Sequence, residues 1–217
     1  MAKGPITRLL GSAWGISSLF LVEHRGVLTL IDTGSAKTSV ARILRGVAQT
    51  GHEAEDVRQI VLTHCHGDHA GRAKALQDAT GAAVLAGAED VPVIEGRAPY
   101  PGPTGPLAPL YNWFGSYERL SVDHAISERQ EIEGGLVVIP TPGHTAGHIS
   151  VFAPDHQALV IGDTVWHLGQ VRPSWRNFTW DTEANAESIK LLAELPVGRV
   201  MPGHGPDFRG DRLRGLA

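Results

Sequence analysis

Apolar residues fall in short blocks along the chain: Leu19 to Val22, Val27 to Ile31, Val57 to Thr63, Ala83 to Ala86, Leu136 to Ile139, Ile149 to Phe152, Ala158 to Ile161 and Val197 to Met201. Blocks this short, rich in β-branched residues and bounded by turn residues, predict strands. Glu23-His24-Arg25-Gly26 joins the first two as a hairpin whose second strand ends at Asp32-Thr33-Gly34. Helical spacing appears between the strands. Val40, Ile43, Leu44 and Val47 sit at i, i+3, i+4 and i+7 with Gly51 beyond, and Gly71 to Ala79 suits a second helix. A third begins at an Asp181-Thr182 cap and stops before Pro196, with Ala186, Ile189, Leu192 and Leu195 as its apolar stripe. Strand, helix and strand in alternation predict an α/β fold, strand-rich in its second half.

Two segments break this rhythm. Lys3 and Arg8 precede a mostly apolar stretch from Leu9 to Val22, but Gly11, Ser12, Gly15, Ser17 and Ser18 interrupt it, and Val22-Glu23-His24 is no small-residue cleavage site. It reads as a strand and is too short to span a bilayer. Residues 96–116 carry five prolines interleaved with Tyr100, Tyr111, Trp113 and Phe114, which suits an ordered excursion. The expectation is one domain over residues 1–217, with this excursion at about 96–117.

Composition narrows the classes. With 42% hydrophobic residues over 217 positions the chain can bury a sizeable core, which excludes disordered and collagen-like classes. A net charge of −4 offers no electrostatic reason to expect nucleic acid or an anionic membrane as partner. The single cysteine, Cys65, cannot close an internal disulfide, so the expected location is the cytoplasm. The 11 histidines are the composition's anomaly.

Their placement points to a metal. Thr63-His64-Cys65-His66-Gly67-Asp68-His69 stands where an apolar strand runs out. In extended backbone, residues i and i+2 project to one side, so His64 and His66 can meet one cation while Cys65 points away into packing. Gly67 permits a sharp turn, after which Asp68 and His69 suit a second cation better than the first. Four ligand-type side chains so close together are costly to bury without a partner. His144, after Thr141-Pro142-Gly143, Asp163, after Gly162, and His204, after Pro202-Gly203, also end apolar strands. Several strand ends thus deliver ligand-type residues to what reads as one sheet edge.

This pattern of HxHxDH followed by His, Asp and His resembles the metallo-β-lactamase fold superfamily, from Asp32 to His204. The resemblance implies a four-layer αββα sandwich with metals in a cleft at the strand ends. It implies that His64, His66 and His144 bind a first metal, that Asp68, His69 and His204 bind a second, and that Asp163 bridges them. Asp32 matches a family aspartate that orients a ligand by hydrogen bonding, and His148 a histidine that supports the site without ligating. Two divalent cations, zinc first and manganese or iron next, leave a residual charge of +2 after Asp68 and Asp163, which favours hydroxide. Coordination lowers the pKa of water from about 15.7 to roughly 7. The implied function is a hydrolase whose metal-bound hydroxide attacks an ester, thioester or lactone carbonyl, with Asp68 guiding the proton.

Departures from the family's branches narrow the substrate. True β-lactamases with two zincs mostly carry cysteine where Asp163 stands, and lactonases carry tyrosine where Trp166 stands. Thr141 to His148 is similar to the glyoxalase II group, whose glutathione-binding region is expected to be missing, since 13 residues follow His204. The alternatives are a mono-iron sulfur dioxygenase, a phosphoester hydrolase and a metal-binding module without catalysis. Trp113 and Trp166 are candidates for an apolar wall beside the metals, and His167 and Arg172 for contacts to a carboxylate or phosphate. The same aromatic stretches would serve as a lid or as a homodimer contact around a small-molecule substrate. His24, His52, His124 and His156 read as surface residues.

Overall fold

The computed structural model describes residues 5–11, 17–100 and 117–217. Strands β1 (Ile6–Leu10), β2 (Leu19–His24), β3 (Val27–Ile31), β4 (Val57–Leu62), β5 (Ala83–Gly87) and β6 (His124–Ile126) form one six-stranded sheet in that order. A second contains β7 (Gln130–Glu131), β8 (Val137–Pro140), β9 (Ile149–Ala153), β10 (Ala158–Gly162), β13 (Arg199–Pro202) and β14 (Phe208–Arg209). Both are mixed: β3 to β6 run parallel, as do β10 and β13, and the remaining pairs are antiparallel. A separate hairpin pairs β11 (Val165–Leu168) with β12 (Gln170–Pro173). Among the described residues no helix is long and apolar enough to cross a membrane.

The central strands are largely apolar because both of their faces are buried, as in β3, β5, β9 and β10. In β4, Ile60 and Leu62 join the cluster under α1 (Val40–Ala48), α2 (Ala73–Thr80) and α3 (Val91–Ile94), while Val61 joins the layer between the sheets. In β10, Val160 faces that middle layer, and Leu159 and Ile161 face α4 (Thr182–Ala193) and α5 (Gly210–Arg214). Three apolar layers therefore separate helices, sheet, sheet and helices, which is the αββα arrangement implied by the sequence resemblance.

Several expectations need correction. The stretch from Leu9 to Val22 is not one strand: β1 ends at Leu10 and β2 starts at Leu19. β14 and α5 follow β13, and neither they nor the hairpin of β11 and β12 left a clear trace in the pattern. Ala186 is exposed, and α4 instead buries Asn185 and Ser188 with Ile189 and Leu192. Those two polar residues can be buried because each has a partner: Asn185 Nδ2 donates to the Thr164 carbonyl at 3.1 Å and Ser188 Oγ to that of Pro142 at 2.7 Å. His24 is buried rather than on the surface, its Nδ1 2.5 Å from the Gly134 carbonyl and its Nε2 3.2 Å from Asp155. Tyr111, Trp113 and Phe114 of the excursion lie outside the described residues.

Candidate metal centre

Five strand ends meet at one edge of the sandwich. Asp32 follows β3, Thr63 and His64 follow β4, His144 lies in the loop after β8, Asp163 follows β10, and His204 lies in the turn after β13. Carboxyl ends of parallel strands are where open α/β sheets present their ligands.

His64, His66 and His144 form a tripod. Their ring centroids are 4.7, 4.8 and 4.7 Å apart and their planes meet at 86–90°. His66 Nδ1 faces His144 Nε2 at 2.9 Å. Burial drives the His64, His66 and His144 imidazoles below their ordinary pKa, most strongly His64 and His144, so they stay neutral and present lone pairs.

A second cluster adjoins the first. The chain turns back at His66, whose carbonyl accepts the amides of His69 at 3.0 Å and Ala70 at 2.9 Å, and the turn carries Asp68 and His69 round to His204. Gly67 adopts no positive φ in this turn. The backbone that requires glycine is Gly71, where a Cβ would overlap Ala36 N and the Gly67 carbonyl. Asp68 Oδ2 lies 3.1 Å from His204 Nε2 and 3.6 Å from His69 Nε2. Burial pulls His69 down, but the Asp163, Asp68 and Asp32 carboxylates outweigh it and lift the imidazole to about 9. His204 is likewise held well above its usual value against burial, chiefly by Asp163. Burial pushes Asp68 up, yet the charges on His69 and His204 hold it below the usual carboxylate range.

Asp163 stands between the clusters. Its Oδ2 is 3.6 Å from His144 Nε2 and 3.4 Å from His204 Nε2, and its Oδ1 is 3.5 Å from His69 Nε2. His148 donates no ligand atom to the clusters: its Nε2 accepts the Asp163 amide at 3.1 Å and its Nδ1 lies 2.8 Å from Thr141 Oγ1. Burial lowers its pKa to about 3, consistent with a neutral ring in that acceptor role. Asp32, at φ 62°, accepts the Thr63 amide at 2.8 Å, the Thr63 hydroxyl at 2.9 Å and His69 Nδ1 at 2.7 Å, which leaves His69 Nε2 facing the cluster.

The donor set fits divalent cations. His64 Nε2 and Asp163 Oδ1 are buried without a hydrogen-bond partner. Ligand atoms of His64, His66 and His144, of His64, His69 and Asp163, and of Asp68, His69 and His204 lie within 4.8 Å of one another in each group. All are nitrogen or oxygen, which suits zinc and also manganese or iron. The site binds divalent metal.

Other candidates divide. Trp166 flanks both clusters, 6.1 Å from the His144 ring and 5.6 Å from that of His204, and Trp175 meets it edge-on at 5.3 Å and Phe178 at a tilt at 6.1 Å. Arg172 pairs with Trp166 across the hairpin, exposed and bonded to Gln170. His167 is turned away: strand alternation sends it to the far face, where it meets the Pro206 carbonyl at 2.8 Å and Arg212 at 3.2 Å. Trp113 is outside the described residues. Cys65 is buried in the helix-side core and its thiol is pushed up by burial.

Sequence reasoning missed Asp90 altogether and, for Tyr100 and Tyr117 of the aromatic excursion, the part they play at the site. Asp90, beyond β5, is buried, and it accepts the Cys65 amide at 2.8 Å, the Thr145 hydroxyl at 2.7 Å and the Gly147 amide at 2.8 Å. It thereby ties the loop of His64 and His66 to the loop of His144. Asp90 stands three residues past the end of β5, whereas Asp32 and Asp163 follow their strands directly, so the signal that marked those two did not mark Asp90. Tyr117 donates to the Cys65 carbonyl at 2.8 Å and Tyr100 Oη accepts the Gly67 amide at 3.0 Å, so both described ends of the excursion hold the same loop.

Comparison with known proteins agrees with this geometry. The profile of the Metallo-beta-lactamase superfamily matches residues 12–204. A probable metallo-hydrolase of Bacillus subtilis is 31% identical, over 85% of this chain and 78% of that protein. A hydroxyacylglutathione hydrolase of Methylococcus capsulatus is 30% identical over 82% of this chain, which spans 60% of that longer protein. The crystal structure of a metallo-β-lactamase family protein of Thermus thermophilus superposes with a TM-score of 0.72 at 18% identity, covering 100% of this chain and 79% of the other.

Proposed function

Because the chain belongs to the metallo-β-lactamase superfamily, we propose that its site holds two divalent cations and cleaves the acyl bond of a small ester, thioester or lactone. That it is a metal-dependent hydrolase follows from the family and from its metallo-hydrolase relatives. Zinc is the first choice of metal, with manganese or iron next.

The placement of Asp163 carries the reading. One carboxylate facing His144 on one side and His69 and His204 on the other suits a bridge between two cations better than a ligand to one. His64, His66 and His144 would hold the first cation, and Asp68, His69 and His204 the second. Bound divalent cations supply Lewis acidity, which lowers the pKa of water from 15.7 to about 7 and offsets charge developing on an acyl oxygen.

The chain's own residues orient the rest. Asp32 and Thr63 hold His69 and His64 by hydrogen bonds to their Nδ1 atoms, so that their Nε2 atoms face the site. The Asp68 side chain is 45% exposed where His64 and His69 are sealed, so its Oδ2 is placed to take up or pass on the proton of the attacking water. Trp166, Trp175 and Phe178 form the apolar side of the opening and seat an apolar acyl or leaving group. Thioesters rank high because a relative is named a hydroxyacylglutathione hydrolase. Recognition of glutathione does not transfer with that name, since the match spans 60% of that protein.

The test is metal analysis of the protein as purified, together with oxygen uptake and a hydrolysis panel of thioesters, lactones, aryl esters, phosphodiesters and β-lactams on protein reconstituted with zinc, manganese or iron. Two zincs per chain and turnover of an acyl substrate are expected, with both falling in Asp163→Ala. One iron per chain with oxygen uptake and no hydrolysis would overturn the proposal.

A further inference from the structure

A cavity of about 370 Å³ lies on the hairpin of β11 and β12, beside the metal centre. The register gives this hairpin two distinct faces. Trp166 pairs with Arg172 and Leu168 with Gln170, so these side chains share one face, and all of them line the cavity. His167 and Val171, paired between them, take the opposite face. There Val171 is buried in the apolar layer under α4 and α5, and the His167 ring meets that of Phe208 at 5.8 Å. The hairpin is fixed relative to the ligands, because the His167 amide donates to the His204 carbonyl at 3.0 Å and the Ser174 amide to the Thr164 carbonyl at 3.3 Å.

The cavity face is apolar where it leaves the site. Trp175 lines it and meets the Trp166 ring edge-on at 5.3 Å, yet is 53% exposed. Phe178 and Trp180, just beyond, are exposed as well, and among the described residues the one other exposed large apolar side chain is Leu191. Exposed apolar surface is thus gathered at one place, which marks a binding surface and not random scatter. At the rim Arg172 Nε donates to Gln170 Oε1 at 3.0 Å, which engages the two polar ends with each other and leaves their aliphatic stems to the cavity.

Resting on the hydrolase reading above, we propose that this face binds an apolar chain of the substrate along its length, and that Leu168 and Trp175 set the length preferred. The occupant is the substrate's own chain because Trp166 makes the face continuous with the metal centre, its ring 6.1 Å from that of His144 and 5.6 Å from that of His204. From Trp166 to Leu168 the strand advances about 7 Å, a reach that a medium-length chain covers and an acetyl group does not. The substrate class narrows to esters and thioesters with a medium-length alkyl or aryl-alkyl chain, on the acyl or the leaving side.

The experiment measures kcat/KM of the zinc-loaded protein on two thioester series. One lengthens the acyl group from acetyl to decanoyl on a fixed thiol, and the other lengthens the thiol from ethyl to decyl on a fixed acetyl group. In one series kcat/KM is expected to rise about fourfold per methylene until the face is filled, and that series assigns the chain to the acyl or the leaving side. Trp175→Ala and Leu168→Ala should each lower the ratio of the best chain to the shortest by about tenfold, and Trp175→Phe should keep most of it. A second arm needs no turnover: alkyl methyl ketones titrated into metal-free protein by calorimetry should bind more tightly as the chain lengthens, in wild type and not in Trp175→Ala. Two flat series in wild type, or length preferences and ketone affinities unchanged in both alanine variants, would overturn the proposal. So would a dimer that Trp175→Ala dissociates with the length preference intact, since the face then covers a second copy. If no thioester of any length is cleaved, the hydrolase reading fails instead, and the ketone arm still decides the face.

Discussion

Asp90 has no catalytic signature, yet its carboxylate accepts two buried amides and a hydroxyl from the two loops that carry the histidine tripod. Removing it leaves these donors buried and unpaired, at about 1–3 kcal/mol for each such group. Asp90→Ala is expected to lose about 3 kcal/mol or more in urea denaturation of the metal-free protein, and Asp90→Asn less, because one acceptor oxygen survives. A loss under about 1 kcal/mol in Asp90→Ala would show that the loops hold themselves. Cys65 marks the opposite case. It lies between two site histidines, but its side chain belongs to the apolar cluster under the helices and is fully buried. Burial also keeps the thiol protonated, so a maleimide should label it in urea and leave it unmodified in the native protein, as read by intact mass. Rapid native labelling would place Cys65 in the site after all.

At the level of elements, α4 does more than cover the second sheet. Its Asp181 cap accepts the amides of Glu183 at 2.9 Å and Ala184 at 3.0 Å, while the Asp181 and Trp180 amides donate to the Gly143 and His144 carbonyls. Asn185 and Ser188 bond the Thr164 and Pro142 carbonyls. The start of this helix therefore locates the loops of both His144 and Asp163. Asp181→Ala should cost about 1 kcal/mol of stability, the usual loss of a cap, measured by chemical denaturation. Gly143→Ala should be worse: φ is 142° and a Cβ would overlap the Asn185 backbone. An expected loss of about 1–3 kcal/mol, with lowered zinc content by metal analysis, follows from the shift forced on His144. The capped start and the Ile189 and Leu192 positions of the stripe were legible in the sequence, while Ala186, read into that stripe, is exposed. The burial of Asn185 and Ser188 was not, because polar residues on a buried face are recognised only when the carbonyls they satisfy are known.

For the whole molecule, the site joins the two sheets. His64, His66, Asp68 and His69 hang from the first sheet, and His144, Asp163 and His204 from the second. A cation held by ligands from both sheets binds the folded chain and not the unfolded one, adding about 2.7 kcal/mol when free metal is a hundredfold above Kd. For a chain of 217 residues, each kcal/mol moves Tm by about 2–4 °C. Chelation by EDTA should therefore lower Tm by at least about 5 °C, and zinc should restore it, by calorimetry. An unchanged melting curve would mean that no cation spans the sheets.

The sequence by itself determined the strand-rich α/β class, most strand positions and the ligand-type residues at their ends. Those signals are local: short apolar blocks mark buried strands, and His, Asp and Gly clustered where a strand stops have few structural uses. Only the tertiary structure decided which residues meet. It set His148 to hold the Asp163 backbone, turned His167 away while Trp166 faces the histidines, buried His24, and recruited Asp90, Tyr100 and Tyr117 to the ligand loop. The physical reason is that those roles depend on partners far away in sequence. A side chain's alternation along its own strand says that it has two faces, and only the packing of sheet on sheet and helix on sheet says what lies on each.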